Sequence, residues 1–90
     1  MIEIEDFKSR HGGGTVDVST EDEVHAALLR GGIINLTADV EVKTPFVVSA
    51  PTWLDGRNRV LTFIGCLDMF TIDAEFIIRD VAMLQRREKD

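Results

Sequence analysis

Gly31-Gly32-Ile33-Ile34-Asn35-Leu36, Thr52-Trp53-Leu54-Asp55-Gly56 and Glu75-Phe76-Ile77-Ile78-Arg79-Asp80 are three versions of one short apolar segment. Aligning Ile34, Leu54 and Ile78 sets the copies 20 and 24 residues apart, with two further short apolar runs in each interval. A recurrence of about 20–25 residues marks a chain that winds around a single core, here with about three strands per coil. The first coil would hold strands at 33–36, 40–42 and 46–48, the second at 53–55, 60–64 and 69–72, and a third would open at 76–79. Equivalent strands would then stack in parallel about 4.8 Å apart. This predicts Ile34 over Leu54 over Ile78 in one inward column, with Phe46 over Phe70, or Val48 over Ile72, in another.

Upstream of the first copy lies the clearest helix signal. Thr20 followed by Glu23 makes a capping box. Glu21 and Asp22 suit the positive end of the helix dipole. Val24, Ala27 and Leu28 fall on one face, and Gly31-Gly32 ends the segment where a left-handed residue is needed. A capping helix is therefore expected at about 20–30, after a short strand at 15–18. Residues 1–14 read as a flexible arm: Ile2, Ile4 and Phe7 alternate with acids, as in an edge strand or extended segment, and Gly12-Gly13-Gly14 follows as a hinge. No Lys-Ser/Thr follows these glycines, so they are not a phosphate loop. Residues 15–84 form the single domain, and the charged tail 85–90 is expected to fray or form a short helix.

Composition excludes several classes. The 90 residues carry a net charge of −6, which disfavours a phosphate backbone or an anionic membrane surface. Hydrophobic content of 44 % is enough for a packed core and too much for a disordered chain. The one cysteine, Cys66, sits among apolar residues and reads as a core side chain rather than a reactive thiol. No apolar run approaches the roughly 18 residues of a membrane helix, and the acidic start is unlike a signal peptide. A cytoplasmic location is expected, with secretion by a non-classical route left open.

Gly14-Thr15-Val16-Asp17-Val18, the helix through Ala26-Ala27-Leu28, the Gly31–Leu36 segment, Thr52-Trp53-Leu54-Asp55-Gly56-Arg57-Asn58 and Phe76-Ile77-Ile78-Arg79-Asp80-Val81 together resemble the N-terminal coils of pectate-lyase-like right-handed parallel β-helix proteins. The resemblance implies a mainly β fold: a short right-handed parallel β-helix of about two and a half coils with an N-terminal capping α-helix. It covers about residues 14–84 and includes no catalytic motif. The family's enzymes have many more coils, and their calcium-binding acids and catalytic Arg or Lys usually come from the later ones. A stack this short would leave the last coil with an apolar mouth and bare strand edges. Repeat folds need caps at both ends, so another copy of the chain is the expected partner, a trimer being favoured over a dimer by the three-sided section.

If Ile34, Leu54 and Ile78 point inward, then Asn35, Asp55 and Arg79 point outward, with Asp55 and Arg79 adjacent. Asp55, Arg79 and Asp80 are the candidate catalytic groups of a polysaccharide lyase or glycoside hydrolase. Asn35 and Trp53 are candidates for a carbohydrate or subunit contact, Trp53 favouring the subunit interface. The bland reading is a surface ion pair of about 0–1 kcal/mol. Asp68, Asp73 and Asp80 could form an acidic cluster for calcium, but no EF-hand loop is present and Asp68 and Asp73 are better explained as turn residues. His25 reads as solvent-facing on its helix, and the Asn35-Leu36-Thr37 glycosylation match as chance. No cofactor, metal, nucleic acid or membrane is called for. Two functions follow: a non-enzymatic self-associating module, or a carbohydrate-binding or polysaccharide-degrading protein with its cleft between subunits. A third possibility is structural: a small α+β domain with an antiparallel hairpin at Asp55-Gly56-Arg57-Asn58, since Asp-Gly is a hairpin signal.

Overall fold

The computed structural model describes residues 3–66 and 68–87. In chain order the elements are α1 (Ile4–His11), β1 (Thr15–Val18), α2 (Glu21–Arg30), β2 (Gly32–Leu36), β3 (Val40–Val42), β4 (Phe46–Val48), β5 (Thr52–Ile64), β6 (Phe70–Ile72) and β7 (Phe76–Arg86). Strand is the main element, and every strand pairing among the described residues is parallel.

The pairings sort into three stacks. The first runs β1, β2, the first half of β5 and the first half of β7. The second runs β3, the second half of β5 and the second half of β7. The third is β4 on β6. The chain visits the stacks in the same order on each pass. Ile34 pairs with Leu54 and Leu54 with Ile78, the column expected from the repeat. Phe46 pairs with Phe70 and Val48 with Ile72, as expected. The antiparallel alternative is overturned, because the Asp55–Asn58 turn is no hairpin and both halves of β5 pair in parallel with the same strand, β7.

The inward side chains make one core: Ile34, Leu36, Val40, Val42, Phe46, Val48, Leu54, Leu61 and Phe63, closed on one side by Val24, Ala27 and Leu28 of α2. Aromatic rings step through it. Phe63 and Phe70 each lie within 5.7 Å of Phe46, and Phe76 continues the series 5.1 Å from Phe70. Cys66 lies in this core, with its thiol toward the Val42 carbonyl at 3.8 Å.

Helix α2 begins and ends as expected. The Thr20 hydroxyl accepts from the Glu23 amide at 3.2 Å, and Gly31 closes the helix at φ 78°. The Glu23 carboxylate reaches one residue past the usual capping-box partner, accepting from the Ser19 amide and hydroxyl at 2.9 and 3.0 Å. These bonds, the Ser19 amide foremost, hold its carboxyl below the usual range. His25 departs from expectation. It is half-buried, its ring edge-on to Phe46 at 4.8 Å and bonded to Glu21 at 3.0 Å. Glu21 also accepts from the amides of Lys43 and Thr44. Partial burial pushes the Glu21 carboxyl up, but the His25 bond and the two amides outweigh it and leave the group lowered. This network ties α2 to the β3–β4 corner.

Three boundaries need correction. Residues 4–11 are helical, not an extended arm or edge strand. The alternation of apolar and acidic residues misled because only Phe7 of that segment becomes fully buried, which one turn of helix achieves as well as a strand. The runs at 53–55 and 60–64 are one strand, β5, with its irregularity between Asp55 and Arg59. Gln85 and Arg86 do not fray or turn helical but extend β7 opposite Phe63 and Ile64, and Arg86 pairs with Glu41 at 2.8 Å. Residues 88–90 of the expected tail, Met1 and Ile2 of the arm, and Leu67 lie outside the described residues.

Candidate functional site

The outer face of the first stack carries two columns, because alternate residues of a strand face opposite sides. One is Thr15, Ile33, Trp53 and Ile77; the other is Asp17, Asn35, Asp55 and Arg79. The second column brings together three of the residues singled out in the sequence and adds Asp17.

The first column is covered. Helix α1 lays Phe7 and Ile4 over Ile33, Trp53 and Ile77. Phe7 meets Trp53 edge-on at 6.0 Å, and Trp53 is only 4 % exposed. Trp53 does point out of the core, as expected, but its partner is the chain's own N-terminal helix. Neither a sugar nor a neighbouring subunit has access to the ring while α1 is seated. The far end of α1 is clipped to the foot of β7. Arg10 donates two bonds to Glu75 at 2.6 and 2.8 Å, and His11 shares the same carboxylate at 2.7 Å. Those bonds, Arg10 first and His11 second, hold the Glu75 carboxyl down to about 2. Gly12–Gly14 then carries the chain from the last layer of the stack, at Glu75, to the first, at Thr15.

The second column is open at its ends and closed in the middle. Asn35 is 7 % exposed and donates to Asp17 at 3.3 Å. Its burial leaves no room for a glycan at the Asn35-Leu36-Thr37 match. Asp55 and Arg79 are register partners, yet their charged groups engage others. Asp55 accepts from the Arg57 amide at 2.9 Å and lies 3.7 Å from the Arg57 guanidinium. Arg79 lies over the Trp53 ring at 5.9 Å. Asp80 is not in the column. It is an exposed corner residue at φ 54°, where β7 turns from the first stack to the second. The column offers hydrogen bonds and opposite charges along an exposed strip. It does not set an acid and a base about one reacting atom. Among the described residues no group of three or more His, Cys, Asp or Glu side chains is placed to hold a metal ion. Nor is any helix among them long and apolar enough to cross a membrane.

Beside the column, an open cleft of about 280 Å³ separates β1 from α2, lined by Val16, Val18, Ala26 and Ala27 with Glu23 and Arg30 on its helix side. Sequence reading missed Asp17, although the signal was there: Val16-Asp17-Val18 repeats the pattern of Ile34-Asn35-Leu36 at a shorter interval of 18 residues. It also missed the roles of Phe7 and Glu75, because their partners lie far away in the chain. No family model, curated protein or solved structure matches the chain.

Proposed function

We propose that this chain is a small non-enzymatic module, a short right-handed parallel β-helix that associates with itself through its open end. The observation that carries this reading is the gradient along the inward columns. Leu54, Leu61 and Val48 are fully buried, while their partners in the last layer are progressively uncovered: Ile78 half-buried, Met83 40 % exposed and Ile72 53 % exposed. Phe70, Phe76 and Val81 complete this partly buried apolar surface. Among the described residues β6 and β7 each pair with a strand on one side only, so their outer backbone edges add to this surface. At the other end α2 does the covering, so the two ends of the stack differ.

A cytoplasmic setting and a buried, free Cys66 go with this proposal. Light scattering coupled to size exclusion is the test. The expected mass exceeds one chain and falls to one chain in Met83→Asp or Ile72→Asp; a wild-type protein that stays monomeric at ~100 μM overturns the reading.

A second reading, carbohydrate binding or polysaccharide cleavage in a cleft between subunits, is favoured by the alignment of Asn35, Asp55 and Arg79 in one outward column. Binding on a glycan array that is lost in Arg79→Ala would support it, and a flat array from the assembled protein would remove it.

A further inference from the structure

We infer that the copies stack head to tail, β7 of one chain adding as a further parallel strand to β1 of the next. This rests on the reading that another copy covers the β6–β7 end, and it names which surface of that copy does so. Strand β1 ends its sheet just as β7 does. The bonds from Ile33 to the Gly14 carbonyl and from Thr37 to the Val18 carbonyl point that alternate set of backbone groups at β2. The groups of Thr15 and Asp17 between them face away from β2, toward the free edge. The cleft between β1 and α2 is a slot beside that edge, with Val16 and Val18 on one wall and Ala26 and Ala27 on the other. Continuing the ladder by one strand puts Ile78 beside Val16 and Arg79 beside Asp17 of the next copy.

Three features of the two ends then match. The inward column Val16–Ile34–Leu54–Ile78 repeats without a break, and Phe76 and Ile78, half-buried in one chain, enter the slot of the next. The outward polar column has an exposed acid, Asp17, at its first position and an exposed base, Arg79, at its last, so a head-to-tail junction sets opposite charges side by side. The profiles fit too. Helix α2 packs chiefly over β4. Being about 10 Å thick against a strand spacing of ~4.8 Å, it stands proud of β1 by about one strand layer. At the opposite end that same stack stops at β6, one layer short of the stacks that finish in β7. The raised helix, with Leu29 at 74 % exposure, fills the step under β6, near Phe70 and Ile72. Two open ends meeting each other would set recess against recess and leave every α2 end unused. Head-to-tail contact is heterologous, and unless the rotation per copy closes a ring it builds an open stack.

The test uses the full chain and charge reversal. Wild-type mass by light scattering rises with concentration without settling at a dimer or trimer. Asp17→Arg alone and Arg79→Asp alone each weaken association about tenfold, because each sets like charges across every junction. Mixing the two variants restores wild-type association, since each junction in an alternating stack regains an opposite pair, and the double variant Asp17→Arg/Arg79→Asp also associates as wild type. The mixture and the double variant separate loss of contact from loss of folding. Association unchanged in both single variants, or singles that weaken without rescue on mixing, overturns the head-to-tail arrangement while self-association stands. A monomeric wild-type chain overturns both.

Discussion

At the corners between stacks, single residues set the path. Asp80 at φ 54° makes the whole corner of β7, while β5 uses Gly56, Arg57 and Asn58 for the same turn, the latter two at φ 51° and 63°. Asp and Asn are the side chains that tolerate this region best, so these positions are read as structural rather than catalytic. Asp80→Gly should therefore leave stability within about 0.5 kcal/mol of wild type, whereas Asp80→Val should cost about 1–2 kcal/mol, measured by urea unfolding. Equal losses for the two would instead point to a role for the carboxylate. Gly56 is needed for space: a methyl there would overlap Val81 and the Asp80 carbonyl. Gly56→Ala should destabilise by about 2 kcal/mol in the same assay, since β5 and β7 would have to part at the corner.

Among the elements, α2 owes its ends to local sequence and α1 owes its place to distant residues. Thr20→Ala removes the cap bond to the Glu23 amide and should cost about 1 kcal/mol. Helix α1 is held by Phe7 on Trp53 and by Glu75. Trp53 is the one tryptophan, so its emission reports whether α1 is seated. Phe7→Ala should shift that emission to the red at neutral pH, and an unshifted spectrum would contradict the packing described above. Acid tests the clip. The Glu75 carboxyl sits at about 2 in the folded chain against an ordinary value of 4.5. A depressed carboxyl contributes stability above its unfolded value and loses it as pH falls through the folded one. The stability gap between wild type and Glu75→Gln should thus be widest above pH 4.5 and close toward pH 2. A gap independent of pH in that window would show that the ion pairs do not hold the helix.

For the whole molecule, the strand order turns a pattern of repeats into one core with unequal ends. Unfolding of an assembly held at such an end depends on mass action, so the melting temperature should rise with protein concentration and cease to do so in Met83→Asp. A melting temperature independent of concentration in the wild type would count against assembly at this end.

The repeat of Ile34, Leu54 and Ile78, the cap at Thr20 and the stop at Gly31 were legible in the amino-acid order, because each depends on residues within one turn of helix or on an apolar spacing that recurs along the chain. Parallel register came with them: once every pass brings an apolar residue to the same point, pairing Ile34 with Leu54 and Leu54 with Ile78 buries all three. The fate of Trp53 was not legible. Its neighbours say only that it alternates with Leu54, and what covers it is Phe7, 46 residues away in the chain. The same holds for Asp55 and Arg79, which are adjacent by register yet bound to Arg57 and Trp53, because side-chain reach and not strand order chooses the partner. Local order thus decided the elements and their stacking, and the tertiary structure decided which outward surfaces stay open, since that depends on contacts between segments that carry no mark of one another.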